Sequence, residues 1–423
     1  MLIKNIELQN FKSFQELKID LNNLNILIGS NASGKSNFIR VLKFLRNIVY
    51  YNLADAISIE GGVEYVRNVQ LGNSQDLYIK ITYDPQMRRV IEKSENGLIS
   101  VKQVEASYEF QIQFHKRGKG FNITRDHLAI HYEFVSLNES GKNFEEIKKI
   151  AQGAIHYTVS NSKLTISENL PKEILVAHEE VSPILGAQFP PINKLPAKTL
   201  FLETPFFILA HGLLLGNPFA DMAIYDFDPK LSQKAVSVKG KNELEEDGSN
   251  LSLVLKNILA NKESARQFVN LTTDMLPFAD SFRVQQLADK SLLLALRERY
   301  TSSFLPAFLL SDGTVNITAL IVALYFEEHP LVVLEEPERT VHPSLIAKLV
   351  DLLTDVSSKK QIIVTTHNPE IVKHARLQDL LLVSRVADGF STICRPAERQ
   401  NVQTFLENEI GVQDLYVQDL LGV

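Results

Sequence analysis

The chain has 423 residues, with 44 lysines and arginines against 50 aspartates and glutamates, a formal net charge of −6, one cysteine and no tryptophan. With 45% apolar and 22% charged residues it can fill the cores of two or three domains, which excludes wholesale disorder. The acidic balance argues against a chain built mainly to coat nucleic acid, and the lone Cys394 excludes an intrachain disulfide framework or a cysteine-based zinc site.

Charges at Lys4, Glu7 and Lys12 stand where a signal peptide needs its apolar region. The longest charge-free apolar stretch, Thr204 to Ala220, is interrupted by Pro205, His211, Gly212, Gly216 and Pro218, and falls short of the roughly 20 residues of a membrane span. A cytoplasmic protein with no membrane partner is expected.

Ile3, Ile6 and Leu8 predict a first strand, and Leu17, Ile19 and Leu21 alternate with Lys18 and Asp20 as in a half-buried second one. Asn25-Ile26-Leu27-Ile28 is a short apolar run that meets Gly29, as a buried strand entering a tight turn does. From Ser36 to Val49 the period changes: Phe38, Val41, Leu42, Leu45, Ile48 and Val49 share one helical face, and Arg40, Lys43 and Arg46 another. Short β-rich runs follow at Tyr78–Tyr83, Ser107–Phe114, His127–Phe134 and Ala154–Ser160, then a proline-marked linker from Phe189 to Pro196. A helix is expected after Asn250, with Leu251, Val254, Leu255, Ile258 and Leu259 as its buried stripe, and Val315 to Phe326 reads as another. Leu331–Leu334 and Gln361–Thr366 look like buried parallel strands with a helix between them. No heptad pattern or internal repeat is evident.

Between strand and helix, Gly29-Ser30-Asn31-Ala32-Ser33-Gly34-Lys35-Ser36 satisfies G-x-x-x-x-G-K-S/T at every required position. Such glycines let successive backbone N–H groups turn toward phosphate oxygens, and the positive end of the following helix adds to that field. Gly29, Asn31, Gly34, Lys35, Ser36 and Asn37 are the expected nucleotide-binding residues, with Lys35 on the β- and γ-phosphates and Ser36 on Mg²⁺. The bland reading, a glycine turn between two elements, is the weaker one because the flanking pattern is right.

Leu331-Val332-Val333-Leu334-Glu335-Glu336 adds an apolar strand that delivers two carboxylates at its C-terminal tip, where α/β sheets place their ligands. Glu335 would hold the metal's water shell and Glu336 would orient and deprotonate the attacking water; a surface glutamate pair before Pro337 is the competing reading. Leu310-Ser311-Asp312-Gly313-Thr314 opens the Val315 helix as either a second anion site or a plain capping turn. His367, after the Gln361 strand, is either a γ-phosphate donor or a satisfied loop histidine.

These four motifs in this order, with Asn10-Phe11-Lys12-Ser13-Phe14 ahead of them, resemble ATP-binding-cassette-type ATPases of the SMC/RecF/OLD group. Glu335-Glu336-Pro337-Glu338 followed by Val341-His342-Pro343 resembles the EEPE…LHP stretch of a family of bacterial AAA-type ATPases. Tyr225-Asp226-Phe227-Asp228-Pro229, Asp247-Gly248-Ser249-Asn250-Leu251 and the stretch from Asp414-Leu415-Tyr416 to Gly422 extend the resemblance; residues 60–200 match only in general character.

The resemblance implies an α/β fold. Its ATPase head would be split between 1–60 and 295–423, with a mixed or parallel sheet and an antiparallel β lobe; the middle would be an inserted β-rich, mixed region over 61–240 and a helical segment over 241–294. It also implies a mechanism in which ATP and Mg²⁺ join two copies. Ser311, Asp312 and Gly313 of one copy would contact the γ-phosphate held by the other, His367 would sense that phosphate, and Lys12 would lie near the nucleotide. A homodimer is implied, acting with DNA or with an effector nuclease or toxin chain in genome maintenance or phage defence. Glu335 departs from the commoner aspartate and reaches one methylene further toward the metal.

Two readings compete. A transporter's nucleotide-binding subunit is disfavoured by the Phe11–Phe14 element, by the long insertion before Ser311 and by a signature without the usual second glycine and glutamine. A non-hydrolysing ATP sensor is left open by Glu335. Asp226 and Asp228 resemble a nuclease D-x-D, yet too little chain follows His367 to hold such a domain. His127 and His131 share a strand face without a third ligand. The Arg40, Lys43 and Arg46 stripe and the cluster from His115 to Gly120 read first as a solvated helix face and a hairpin tip, and second as DNA contacts.

Overall fold

Ile3, Ile6 and Leu8 are buried along strand β1 (Leu2–Phe11), which turns back as β2 (Phe14–Asp20). Strand β3 (Leu24–Ile28) is buried at every position and leads through the glycine turn into helix α1 (Lys35–Tyr50). Short helices α2 (Leu53–Ile59) and α3 (Val63–Val66) precede six strands: β4 (Leu77–Asp84), β5 (Val90–Ser94), β6 (Gly97–Phe114), β7 (Phe121–Ser140), β8 (Asn143–Ser160) and β9 (Lys163–Asn169). Helix α4 (Pro205–His211), strand β10 (Met222–Tyr225) and helix α5 (Pro229–Ser232) follow, then helices α6 (Leu251–Ala260) and α7 (Lys262–Met275).

Strands β11 (Ala279–Gln286), β12 (Leu292–Glu298) and β13 (Phe304–Pro306) come before helix α8 (Asp312–Tyr325) and strand β14 (Leu331–Glu335). Helix α9 (Ile346–Ser357), strand β15 (Gln361–Thr366), helix α10 (Pro369–His374), strands β16 (Leu380–Arg385) and β17 (Ser391–Cys394) and helix α11 (Val412–Val417) complete the order. The computed structural model describes residues 2–85, 90–94, 97–116, 118, 120–140, 143–170, 194–211, 217–400, 402 and 412–417. Most of the expected 189–196 linker, together with Arg117 and Lys119 of the basic cluster, lies outside them.

The chain divides into two compact units. The first comprises Met1–Leu21, Asn37–Asp221 and Arg385–Thr392, and the second Asn22–Ser36, Met222–Ser384 and Ile393–Val423. An eight-stranded antiparallel sheet in the order β2-β1-β4-β6-β7-β8-β9, with β5 on β6, builds the first. Asp126 on β7 is buried, and it accepts hydrogen bonds from the Phe201 N–H (2.7 Å) and the Tyr108 hydroxyl (2.9 Å) and so fastens the segment leading to α4. Burial pushes its carboxyl up to about 7.

The second unit holds a six-stranded sheet in the order β10-β14-β15-β3-β16-β17 and a three-stranded one, β11-β12-β13. Pairing is parallel from β10 through β14, β15 and β3 to β16. Register sets the outcome: Glu335 lies opposite Thr365, and Thr366 opposite Ile28. The strand ends that precede Gly29, Glu336 and His367 therefore share one edge of one sheet. Helix α8 is buried at every position from Thr314 to Leu324, as a helix apolar all round must be, and forms the centre of this unit's core.

The partition departs from the expected head of 1–60 plus 295–423. Strands β1 and β2 and most of α1 fall in the first unit, because β1 pairs antiparallel with β4 and so continues the lobe sheet. The end of the expected 61–240 insertion falls in the second unit, because β10 pairs in parallel with β14. The expected helical segment over 241–294 holds α6 and α7 but ends in strands: the leucine run of β12 is fixed by antiparallel pairing to β11 and β13.

Candidate functional site

The glycine turn is required by sterics as well as by pattern. A Cβ on Gly29 would stand 2.2 Å from the Val383 carbonyl oxygen of β16, and Gly34 has φ 119°, a region that side chains rarely adopt. Ala32 adopts φ 63°, so the backbone between the glycines is also curled. Lys35 is buried at the start of α1, and its Nζ donates to the carbonyls of Gly29 (2.7 Å) and Ser30 (3.0 Å). Burial draws the Lys35 amine down from the ordinary lysine range, while the Glu336 and Glu338 carboxylates hold it up. Ser36 and Asn31 are exposed, and Glu335 is half-buried at the tip of β14.

Glu336 follows at φ 45°, with its N–H donating to the Thr365 carbonyl (2.9 Å). Its carboxylate accepts from His367 Nδ1 (2.8 Å) and from Arg339 Nη2 (3.2 Å). Burial favours the protonated form, but these two partners outweigh it and hold Glu336 below the usual carboxylate range. The structure thus brings Glu336 and His367 into contact, as their positions after adjacent parallel strands require.

Glu338 behaves in the opposite way. It is 6% exposed, one oxygen accepts from the Thr366 hydroxyl, and Oε2 has no protein partner among the described residues. Burial, helped by the charge of Glu336, raises its pKa. Glu336, Glu338, Arg339, Thr340, His367 and Asn368 line an open cavity of about 430 Å³, within the range of small-molecule sites.

Ser311 caps α8, accepting from the Thr314 N–H (3.2 Å) and lying 2.8 Å from the Thr314 hydroxyl. Asp312 accepts from Lys230 Nζ (2.8 Å) and Gln233 Nε2 (2.9 Å), and the Lys230 contact holds it below the ordinary aspartate range. A Cβ on Gly313 would meet the Thr340 carbonyl oxygen at 2.5 Å. Because that neighbour is backbone, Gly313→Ala is expected to cost about 1–3 kcal/mol through overpacking, read as a melting temperature lower by several degrees.

Lys12 and Asn37 belong to the first unit. Lys12 Nζ lies 2.5 Å from Glu60 Oε2, a carboxylate that also pairs with Arg40 (3.1 Å), and Asn37 donates to the Ser13 hydroxyl (2.8 Å). The amine of Lys12 is thus engaged by Glu60, and one cation of the Arg40 stripe is committed within the protein.

Asp226 faces Arg339 (3.5 Å) and Asp228 caps α5 through the Lys230 N–H (2.9 Å), so the D-x-D pair serves the backbone and an arginine. His127 lies between Glu109 (3.3 Å) and His156 (3.3 Å), and no group of three or more potential ligands that could hold a metal ion occurs among the described residues.

Sequence reasoning assigned no role to Glu338, Arg339, Lys230, Gln233 or Asn316. One signal was available for Asn316, a single amide inside the apolar run of α8.

The curled turn, the buried lysine and the carboxylates at one sheet edge fit a nucleotide triphosphate with a hydrated divalent cation. The cradle is too tight for a Cβ at Gly29, and Glu338 Oε2 is a buried acceptor still to be satisfied. The profile of a family described as "AAA domain, putative AbiEii toxin, Type IV TA system" matches residues 24–156 and 199–373. A 46-residue stretch is 50% identical to the DNA replication and repair protein RecF of Lactococcus lactis subsp. lactis, covering 11% of this chain and 13% of that protein. Another of 45 residues is 42% identical to the endonuclease GajA of Bacillus cereus, covering 11% and 8%. Among solved structures, an SMC head bound to the C-terminal winged-helix domain of ScpA aligns over 93% of this chain and 97% of its own, at 13% identity and a TM-score of 0.49. The SMC head domain from Thermotoga maritima aligns over 93% and 99%, at 15% identity and a TM-score of 0.40.

Proposed function

The chain belongs to this AAA-domain family, and on that premise we propose that it is an ATP-hydrolysing switch whose two copies are joined by nucleotide. The observation that carries the reading is the shared sheet edge, which places Lys35, Glu336 and His367 in one electrostatic cluster. Lys35 and the curled backbone bind the triphosphate, with Ser36 and Glu335 as the metal's protein contacts. Mg²⁺, when bound, neutralises phosphate charge. Glu336, held ionised, accepts the proton of the attacking water, and His367 reports on the γ-phosphate.

Ser311 and Gly313 offer a hydroxyl and a helix N-terminus to the nucleotide of a second copy. Asp312 in that turn is neutralised by Lys230, which keeps a phosphate tolerable there. The output passes to DNA or to a nuclease or toxin chain; the short stretches shared with a replication and repair protein and with an endonuclease support that class of partner.

Light scattering coupled to a turnover assay tests the reading. The expected result is a monomer without nucleotide, a dimer with ATP, and a monomer again as ATP is consumed. Ser311→Arg should retain ATP binding and lose the dimer. A dimer of unchanged population with and without ATP would contradict nucleotide-joined assembly.

A further inference from the structure

Buried amides are costly unless bonded, and α8 carries one. Asn316 is 4% exposed in a helix otherwise apolar from Val315 to Leu324 apart from Thr318. Its carboxamide donates both hydrogens to one short loop, to the carbonyls of Pro337 (3.0 Å) and Arg339 (2.8 Å). That loop is strained at both ends, with Glu336 at φ 45° and Thr340 at φ 70°. Two tight turns close it, Arg339 N–H to the Glu336 carbonyl and Val341 N–H to the Glu338 carbonyl, each 2.9 Å. Such conformations persist only where surrounding contacts over-determine them. From the same loop Arg339 reaches back to the Glu336 carboxylate.

We propose that Asn316 is a positioning residue for water activation: by stapling the 337–339 carbonyls to α8 it holds the 336–340 loop in its strained form and so fixes the aim of the Glu336 carboxylate. This rests on the reading of Glu336 as the base. Because Asn316 lies within the first two turns of the helix that Ser311 caps, and Gly313 packs against the Thr340 carbonyl, the staple also makes the Ser311–Gly313 turn and the Glu336 loop one mechanical piece. A contact at that turn then bears on the geometry of water activation.

The test is ATP turnover per bound nucleotide in Asn316→Ala and Asn316→Ser, the serine keeping one donor in a side chain small enough for the site. Expected is an unchanged affinity for ATP with turnover lowered about 10- to 100-fold in the alanine variant, the scale of a misplacement near 1 Å, and a partial recovery in the serine variant. Normalising to bound nucleotide removes any loss of folded protein, which is all that a purely structural role would produce. Adding Asn316→Ala to Glu336→Gln should cause no further loss, because both act through one carboxylate.

Wild-type turnover per bound nucleotide in both single variants, or losses that multiply in the double variant, would overturn the assignment while leaving the base intact. A wild-type protein that binds ATP through Lys35 and never hydrolyses it removes the base, and this inference with it.

Discussion

Lys35→Ala is expected to abolish nucleotide binding. The lysine amine is buried, it closes the turn through the Gly29 and Ser30 carbonyls, and its charge interacts with those of Glu336 and Glu338. Without it, a triphosphate would meet the two carboxylates with one cation fewer, Arg339 being already paired with Glu336. One unit-charge contact at 4 Å, at an effective dielectric constant near 20, is worth about 4 kcal/mol, or roughly a thousandfold in affinity. Allowing for screening at the open side of the turn, a loss of at least about a hundredfold in Kd follows, measurable by titration calorimetry. Folding should survive, since β3 and the Gly29 contact with β16 do not involve the amine. Retained affinity within about threefold would mean that the turn is a strand–helix connection and nothing more.

How far this site could be read in advance depended on locality. Leu331–Leu334 and Gln361–Thr366 were legible as strands because parallel strands buried on both faces are continuous apolar runs, and α8 because its apolar segment is too long for a strand. The first of these stops one residue short of β14, whose last residue is the half-buried Glu335. Strands β6 and β7 run well beyond the predicted Ser107–Phe114 and His127–Phe134, since their outer parts are fixed by pairing with each other and not by alternation.

No local pattern shows that β3 lies between β15 and β16, yet that order is what brings Gly29, Glu336 and His367 to one edge. The partners of Glu336 divide along the same line. His367 follows the next strand in the sheet and stands out in the sequence as a γ-phosphate donor, not as a partner of Glu336, whereas Arg339 reaches Glu336 only because the loop after Pro337 turns back on itself. Glu338, two residues from Glu336, carries the same functional group in an environment that drives its pKa the opposite way: burial raises both, but at Glu336 it is outweighed by His367 and Arg339, a difference invisible in the residue type.

Glu336→Gln is expected to separate binding from hydrolysis. Glutamine keeps the size of the side chain and one acceptor oxygen, so the Thr365 backbone contact and the strained φ of residue 336 are unaffected. What is lost is the negative charge. General-base catalysis accounts for about 10²–10⁴ in rate, and turnover should fall by that factor. Binding should hold or tighten, because a carboxylate facing the γ-phosphate has been neutralised while Lys35 remains. The ATP-joined dimer should then outlast that of the wild type, seen as a dimer that decays only when ATP is removed.

The pH dependence gives an independent reading of the same group. His367 and Arg339 hold the Glu336 carboxyl below the usual carboxylate range, so the ionised form is retained as pH falls through that range and lost only beneath it. Wild-type turnover should therefore keep its plateau down to the acid limit of folding, and removing the partner charge with His367→Ala should move the acid limb upward. If Glu336→Gln hydrolyses ATP at the wild-type rate, the water is activated elsewhere, and Glu338, with its raised pKa and its unsatisfied oxygen in the same cavity, becomes the carboxyl to substitute next.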